Sequence, residues 1–187
     1  MDPRVKPEDD KLKSFNDTLK SLDDTLKILD EKLKSLDDKV KGSPMPHLVI
    51  LYTGQLDAEV QMTTLCRQMA DAMLTVKDEE DKQVFPTGGT RVLAYPAPHY
   101  AVADGGAAGR EAGGTGDYAF VYLNMRMGRG RSEATQQRAG QTLLTVAQDF
   151  FAPVMAQRHI GITLQIDVGP EVFDAKHSNL HPLFNKA

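Results

Sequence analysis

The chain has 187 residues, a formal net charge of −4 and one cysteine, Cys66. That length allows one ordinary domain with something attached, and the modest charge with no Lys/Arg cluster argues against a nucleic-acid partner. A single cysteine excludes an intramolecular disulfide and a cysteine-based zinc site, and Cys66 reads as a small buried apolar residue. No apolar run approaches the ~18 residues of a membrane span. The charged opening lacks the apolar core of a secretory signal. The composition therefore reads as that of a soluble, cytoplasmic protein with no membrane partner.

The first forty residues carry one pattern. Leu12, Phe15, Leu19, Leu22, Leu26, Leu29, Leu33, Leu36 and Val40 alternate three and four apart, which is an a/d heptad seam. A lone helix with so narrow a stripe leaves its leucines wet, so residues 9–41 are expected to form a coiled coil. With Leu12 at a, the e positions hold Asn16, Asp23, Asp30 and Asp37, and the g positions hold Thr18, Thr25, Lys32 and Lys39. A parallel pair sets Lys32 of one chain opposite Asp37 of the other, whereas an antiparallel pair opposes like charges. Parallel association is expected, with two, three or four strands left open. Gly42 suits the residue after a helix and Pro44 forbids continuation. The sequence thus divides into a coiled-coil helix (1–41), a linker (42–45) and a second domain (46–187).

That second domain begins with "PHLVILYT" (46–53), a short apolar run that reads as a buried strand. Val60, Leu65, Met69, Met73 and Val76 predict a helix over about 57–76, with Asp57 and Glu59 at its start. "DEEDKQ" (78–83) reads as a solvated loop, "FPTGG" (85–89) as a turn and "TRVLAYP" (90–96) as a strand. "GGAAGREAGGTG" (105–116) reads as a flexible, glycine-rich loop. The pattern then repeats: a strand over 117–127, a helix from about Ser132, and a strand over 160–168. Ala139, Leu143, Val146, Phe150 and Val154 are assigned to the apolar face of that helix, Ser132 to its cap and Pro153 to a kink in its last turn. "NLHPLF" (179–184) closes the domain with an apolar hook. The fold class is α+β: two tandem β-α-β units form a four-stranded mixed sheet with two helices on one face, preceded by a long coiled-coil helix. The uncovered sheet face stays apolar and calls for self-association.

Among candidate chemical groups, the five histidines (47, 99, 159, 177 and 181) lack metal-ligand spacing. "GRGR" (128–131) lacks the phosphate-loop patterns, and Ser132 does not sit in a nucleophile elbow. No metal and no cofactor are expected. Without further context Arg91 and Arg131 read as surface charges, although Arg131 follows two glycines at a helix N-terminus, where an anion is favoured.

Together "PHLVILYT", "FPTGGTRV", "DYAFVYLNMRMGRGRSEATQQRAGQ" and "NLHPLF" resemble the 5-carboxymethyl-2-hydroxymuconate Δ-isomerase family of the tautomerase superfamily, over residues 46–184. The coiled coil has no counterpart there. The resemblance implies a homotrimer with active sites near subunit boundaries, and a small di- or tricarboxylic dienol as substrate. The reaction it implies moves a proton from the 2-hydroxyl to a remote carbon. It also implies that Pro46 is the catalytic proline and that Arg91 and Arg131 bind substrate carboxylates. A free proline amine titrates near ~8, lower beside cations and when buried, so one group can take and return a proton. A guanidinium holds a carboxylate bidentately and draws charge toward the developing oxyanion.

One feature departs from that family. Pro46 follows Met45, so in the intact chain its nitrogen is a tertiary amide without basicity. The intact fusion is therefore expected to be impaired. The alternative reading is an engineered self-assembling fusion of a trimeric enzyme with a coiled coil, whose role is structural. A coiled coil of order other than three would then build a larger assembly.

Overall fold

The computed structural model describes residues 7–40 and 46–169, with 177, 180, 183 and 184; within 7–40 it describes the side chains of 13 and 15–32. The chain divides into two compact units, Met1–Gly42 and Ser43–Ala187. The described part of the first is one helix, α1 (Pro7–Val40). Phe15, Leu19, Leu22, Leu26 and Leu29 of the seam are all exposed on the single chain, as is Ile28. Lys27 pairs with Asp23 at 2.9 Å, one turn away on the solvated face. The side chains of Leu12, Leu33, Leu36 and Val40, and the linker 42–45, lie outside the described residues.

The second unit is built from β1 (His47–Thr53), α2 (Met62–Thr75), β2 (Arg91–Ala97), α3 (Ala107–Glu111), β3 (Ala119–Met127), α4 (Glu133–Met155) and β4 (Ile160–Val168). The sheet order is β2-β1-β3-β4. β1 pairs parallel with β2, antiparallel with β3, and β3 pairs parallel with β4. This is the mixed sheet expected of two β-α-β units. Period-2 alternation sends Leu48, Ile50 and Tyr52 of β1 and Val121, Leu123 and Met125 of β3 to one face. There they are buried with Leu65, Met69 and Met73 of α2 and Leu143, Ala147 and Phe151 of α4.

The opposite sheet face is open in the single chain. Leu51, Leu93, Tyr95 and Phe120 are exposed on it. Its outer part is polar: the Asn124 amide donates to Asp167 at 2.8 Å and the Tyr122 hydroxyl to Gln165 at 3.2 Å. The Asn124 and Gln165 amides hold the Asp167 carboxyl below its usual range.

Several expected boundaries differ. Residues Gly54–Ala58 form a 3-10 turn, so α2 begins at Met62 rather than near 57. Asp57 and Glu59 do not serve that helix start. Asp57 accepts the Tyr52 hydroxyl at 2.6 Å, and Glu59 pairs with Arg158. Cys66 is half-buried on α2, and burial pushes its thiol up. On α4 Ala139, Leu143 and Val154 are buried as expected, but Ala147 and Phe151 take the remaining core positions; Val146 and Phe150 pack against the core and are only partly buried. Pro153 lies inside α4, which continues to Met155. The glycine-rich segment is not a featureless loop: it holds α3, and Asp104 accepts the backbone N–H groups of Gly106, Ala107 and Ala108. Of the C-terminal hook, the described Leu180, Leu183 and Phe184 are exposed; the rest lies outside the described residues.

Arg158 closes the far end of the sheet. Its side chain is only 9% exposed and pairs with both Glu59 and Asp117. Nearby, burial and then the bond to Asp57 push the Tyr52 phenol up to about 12. A raised phenol contributes stability fully below its unfolded pKa near 10 and loses it as pH climbs through the folded value. Wild-type protein is therefore expected to lose more unfolding free energy than Tyr52→Phe between about pH 9 and about pH 11. Urea titrations at both pH values check this, and equal losses would refute it.

Candidate active site

Pro46 immediately precedes β1 and is buried. Its carbonyl accepts the backbone N–H of Arg91 at 3.3 Å, and the next residue, His47, stands opposite Arg91 in the parallel ladder. The start of β2 is thereby fixed against Pro46. The turn leading into β2 includes a 3-10 turn at Thr87–Gly89, with Gly88 and Gly89 buried. A Cβ on Gly89 would lie 3.0 Å from Pro86 Cγ and 3.6 Å from Pro46 Cδ. The tight approach is to Pro86; the distance to Pro46 is ordinary van der Waals contact and sets the turn beside the Pro46 ring.

Arg91 is half-buried, and its Nη1 donates to the carbonyls of Gly88 at 2.9 Å and Thr90 at 3.0 Å. Among the described residues no carboxylate pairs with it. Its charge is oriented by the backbone dipoles of Gly88 and Thr90.

Arg131 reaches the same turn from the other β-α-β unit. It directly precedes Ser132, the α4 N-cap, whose hydroxyl accepts Thr135 N–H at 3.0 Å. Gly130, with φ of 95°, permits the left-handed residue that leads into this cap. The half-buried Arg131 donates from Nη1 to the Gly128 carbonyl at 3.1 Å and from Nη2 to the Val84 carbonyl at 3.3 Å. Its guanidinium lies 5.8 Å from the centre of the Phe85 ring, within cation–π range. Segment 84–90 therefore touches all three residues singled out in the sequence: Pro46, Arg91 and Arg131.

That sheet end also carries Arg126 and Asp167, a cation and an anion the sequence does not single out. Arg126 at the end of β3 stands opposite His47, and Asp167 stands opposite Arg126. The sequence reading also missed Phe85 and Glu79. The Glu79 carboxylate accepts the hydroxyls of Ser132 and Thr135. Nothing in "DEEDKQ" distinguishes its first glutamate, Glu79, from its neighbours.

The glycine-rich segment packs at the opposite end of the sheet from Pro46. Gly109 N–H donates to the Tyr118 hydroxyl at 2.7 Å, and Gly114 abuts His159. A cavity of about 460 Å³ lies there, lined by Val102, Tyr118, Met155, Arg158, His159 and Ile160 among others. Among the described residues no group of three or more His, Cys, Asp or Glu is arranged to hold a metal ion. No helix among them is long and apolar enough to cross a membrane.

A family model for 5-carboxymethyl-2-hydroxymuconate isomerase matches residues 46–184. The chain belongs to that family. The fold is also similar to that of a crystal structure of a 5-carboxymethyl-2-hydroxymuconate delta-isomerase, with a TM-score of 0.75 and 66% identity over 78% of this chain and 96% of that one. A 5-carboxymethyl-2-hydroxymuconate isomerase from Deinococcus radiodurans R1 superposes with a TM-score of 0.62 at 30% identity, over 77% of this chain and 97% of the other. The 5-carboxymethyl-2-hydroxymuconate Delta-isomerase of Escherichia coli is 24% identical over 140 residues, 75% of this chain and 99% of that protein. Residues 46–184 are thus an isomerase domain of the tautomerase type. Helix α1 lies outside the span matched by the isomerase family.

Proposed function

We propose that the domain beginning at Pro46 isomerises a 2-hydroxymuconate-type dienol carboxylate of the 5-carboxymethyl-2-hydroxymuconate class. The observation that carries this reading is the convergence of Pro46, Arg91 and Arg131 on segment 84–90 in a chain of this family. In the proposed cycle a free Pro46 amine removes the 2-hydroxyl proton. The electron pair moves through the diene, the oxygen becomes a carbonyl, and the same ammonium returns the proton to a remote carbon. Arg91 and Arg131 bind substrate carboxylates, and their positive charge favours both the neutral amine and the developing oxyanion.

The apolar strip of Val49, Leu51, Leu93, Tyr95 and Phe120 supports a homotrimer in which the open sheet faces are covered by other copies. Exposed Phe15, Leu19, Leu22, Leu26 and Leu29 support a second reading for the intact chain. In that reading α1 is a parallel coiled-coil module joined through 42–45, and the fusion, engineered for assembly, has a structural role.

The test of the isomerase reading uses a chain whose first residue is Pro46. Arg91→Ala and Arg131→Ala are each expected to lower kcat/KM for a dicarboxylate dienol by about 10- to 100-fold, the value of a charge-assisted hydrogen bond. Unchanged kcat/KM in both variants would remove the arginines from the site.

A further inference from the structure

The loop between α2 and β2 is folded on itself and then tied to α4. A bridge joins Lys77 to Gln83, and the Asp78 carboxylate accepts the N–H groups of Glu80 and Lys82, each at 2.9 Å. From α4, Arg138 donates to the carbonyls of Lys77 at 2.6 Å and Asp78 at 3.2 Å. These contacts hold the loop, but they lie more than a turn beyond the helix start.

Glu79 makes a different connection. One carboxylate oxygen accepts the Ser132 hydroxyl, and the Thr135 hydroxyl donates to both oxygens at 3.1 and 3.0 Å. Thr135 is only 1% exposed. Ser132 in turn accepts Thr135 N–H, so acid, cap and first turn form one unit. An anion at a helix N-terminus is also favoured by the helix dipole, and the bond from Ser132 is the main cause holding the Glu79 carboxyl below its usual range.

Arg131 is the residue directly before this unit. The Gln136 amide donates to its carbonyl at 2.9 Å. On its other side lie Gly130 and Gly128, which leave the backbone free to swing. The clamp around Ser132 is thus the fixed point from which the Arg131 side chain reaches Val84.

We propose that Glu79 is a positioning residue for Arg131: by clamping Ser132 and Thr135 it holds the guanidinium where a substrate carboxylate must dock. This rests on the reading of Arg131 given above. The role is one of geometry, since Glu79 does not touch the reacting atoms.

The test again uses a chain beginning at Pro46. The nitrogen-15 resonance and exchange rate of the Arg131 Nε–H are read on wild type, Glu79→Ala and Glu79→Gln, and KM with kcat for a dicarboxylate dienol on these and on Arg131→Ala and Glu79→Ala/Arg131→Ala. Glu79→Ala is expected to speed Arg131 Nε–H exchange and to raise KM about 5-fold, with kcat within about 2-fold. Glu79→Gln keeps an acceptor oxygen and is expected to recover most of both. In the Arg131→Ala background the same change is expected to shift KM by less than about 2-fold, because coupled residues are non-additive. An Arg131 resonance indifferent to Glu79→Ala overturns the proposal. So does a KM rise that persists undiminished without Arg131. If Arg131 loosens while KM stays constant, the positioning role stands and the assignment of Arg131 to substrate fails instead. Should Glu79→Ala not fold, Glu79→Asp withdraws the acceptor by one methylene while keeping the charge, and the same two readouts decide.

Discussion

A chain trimmed to begin at Pro46 is expected to isomerise a 2-hydroxymuconate-type dienol at least ~100 times faster than the intact chain, the lower end of what a positioned acid–base group supplies. The reason is covalent. With Met45 attached, the Pro46 nitrogen is an amide that neither takes a proton at neutral pH nor carries one to return. Sterics add to this, because Pro46 is buried and Gly89 packs beside its ring. The comparison requires intact mass on both samples, since slow clipping before Pro46 would mimic activity. Equal rates from verified intact and trimmed chains would end the amine mechanism and require another base. Solution mass on the same samples separates the roles of the two units. A trimmed chain is expected as a trimer, and an intact chain as a larger species if the α1 bundle has an order other than three.

Phe151→Ala is expected to destabilise the isomerase domain by about 3–5 kcal/mol, the range for emptying a buried aromatic site. That is a large part of the ~5–15 kcal/mol that holds a typical domain together. Phe151 is fully buried on α4, and its ring meets Phe150 edge-on at 5.0 Å between centroids. Phe150 is only partly buried, so Phe150→Ala is expected to cost clearly less. Urea unfolding of chains beginning at Pro46, at one fixed protomer concentration, compares them. A Phe150→Ala cost equal to or above that of Phe151→Ala would show that the phase of α4 differs from the one described.

The pair of phenylalanines also marks where sequence periodicity stops being informative. Val146, Ala147, Phe150 and Phe151 offer two adjacent apolar stripes, and a 3.6-residue period fits either. The sequence reading placed Val146 and Phe150 inward; packing against the sheet buries Ala147 and Phe151. The same limit applies at the start of α2. Asp57 and Glu59 suit a helix N-terminus locally, yet Tyr52 and Arg158 capture them.

What the sequence determined by itself was whatever follows from neighbours a few residues apart. The heptad stripe, the apolar strands at 47–53 and 160–168, the Ser132 cap and the order of two β-α-β units all rest on local spacing and local hydrogen bonds. The pairing of Pro46 with a family proline came from motifs of the same local kind. Only the tertiary structure decided that Arg91 and Arg131 share segment 84–90, that Glu79 alone of an acidic run reaches the α4 cap, and that the glycine-rich segment settles at the end of the sheet away from Pro46. These are contacts between residues tens of positions apart. They depend on sheet register and on the direction in which a helix is clamped, and no short stretch of sequence carries either quantity.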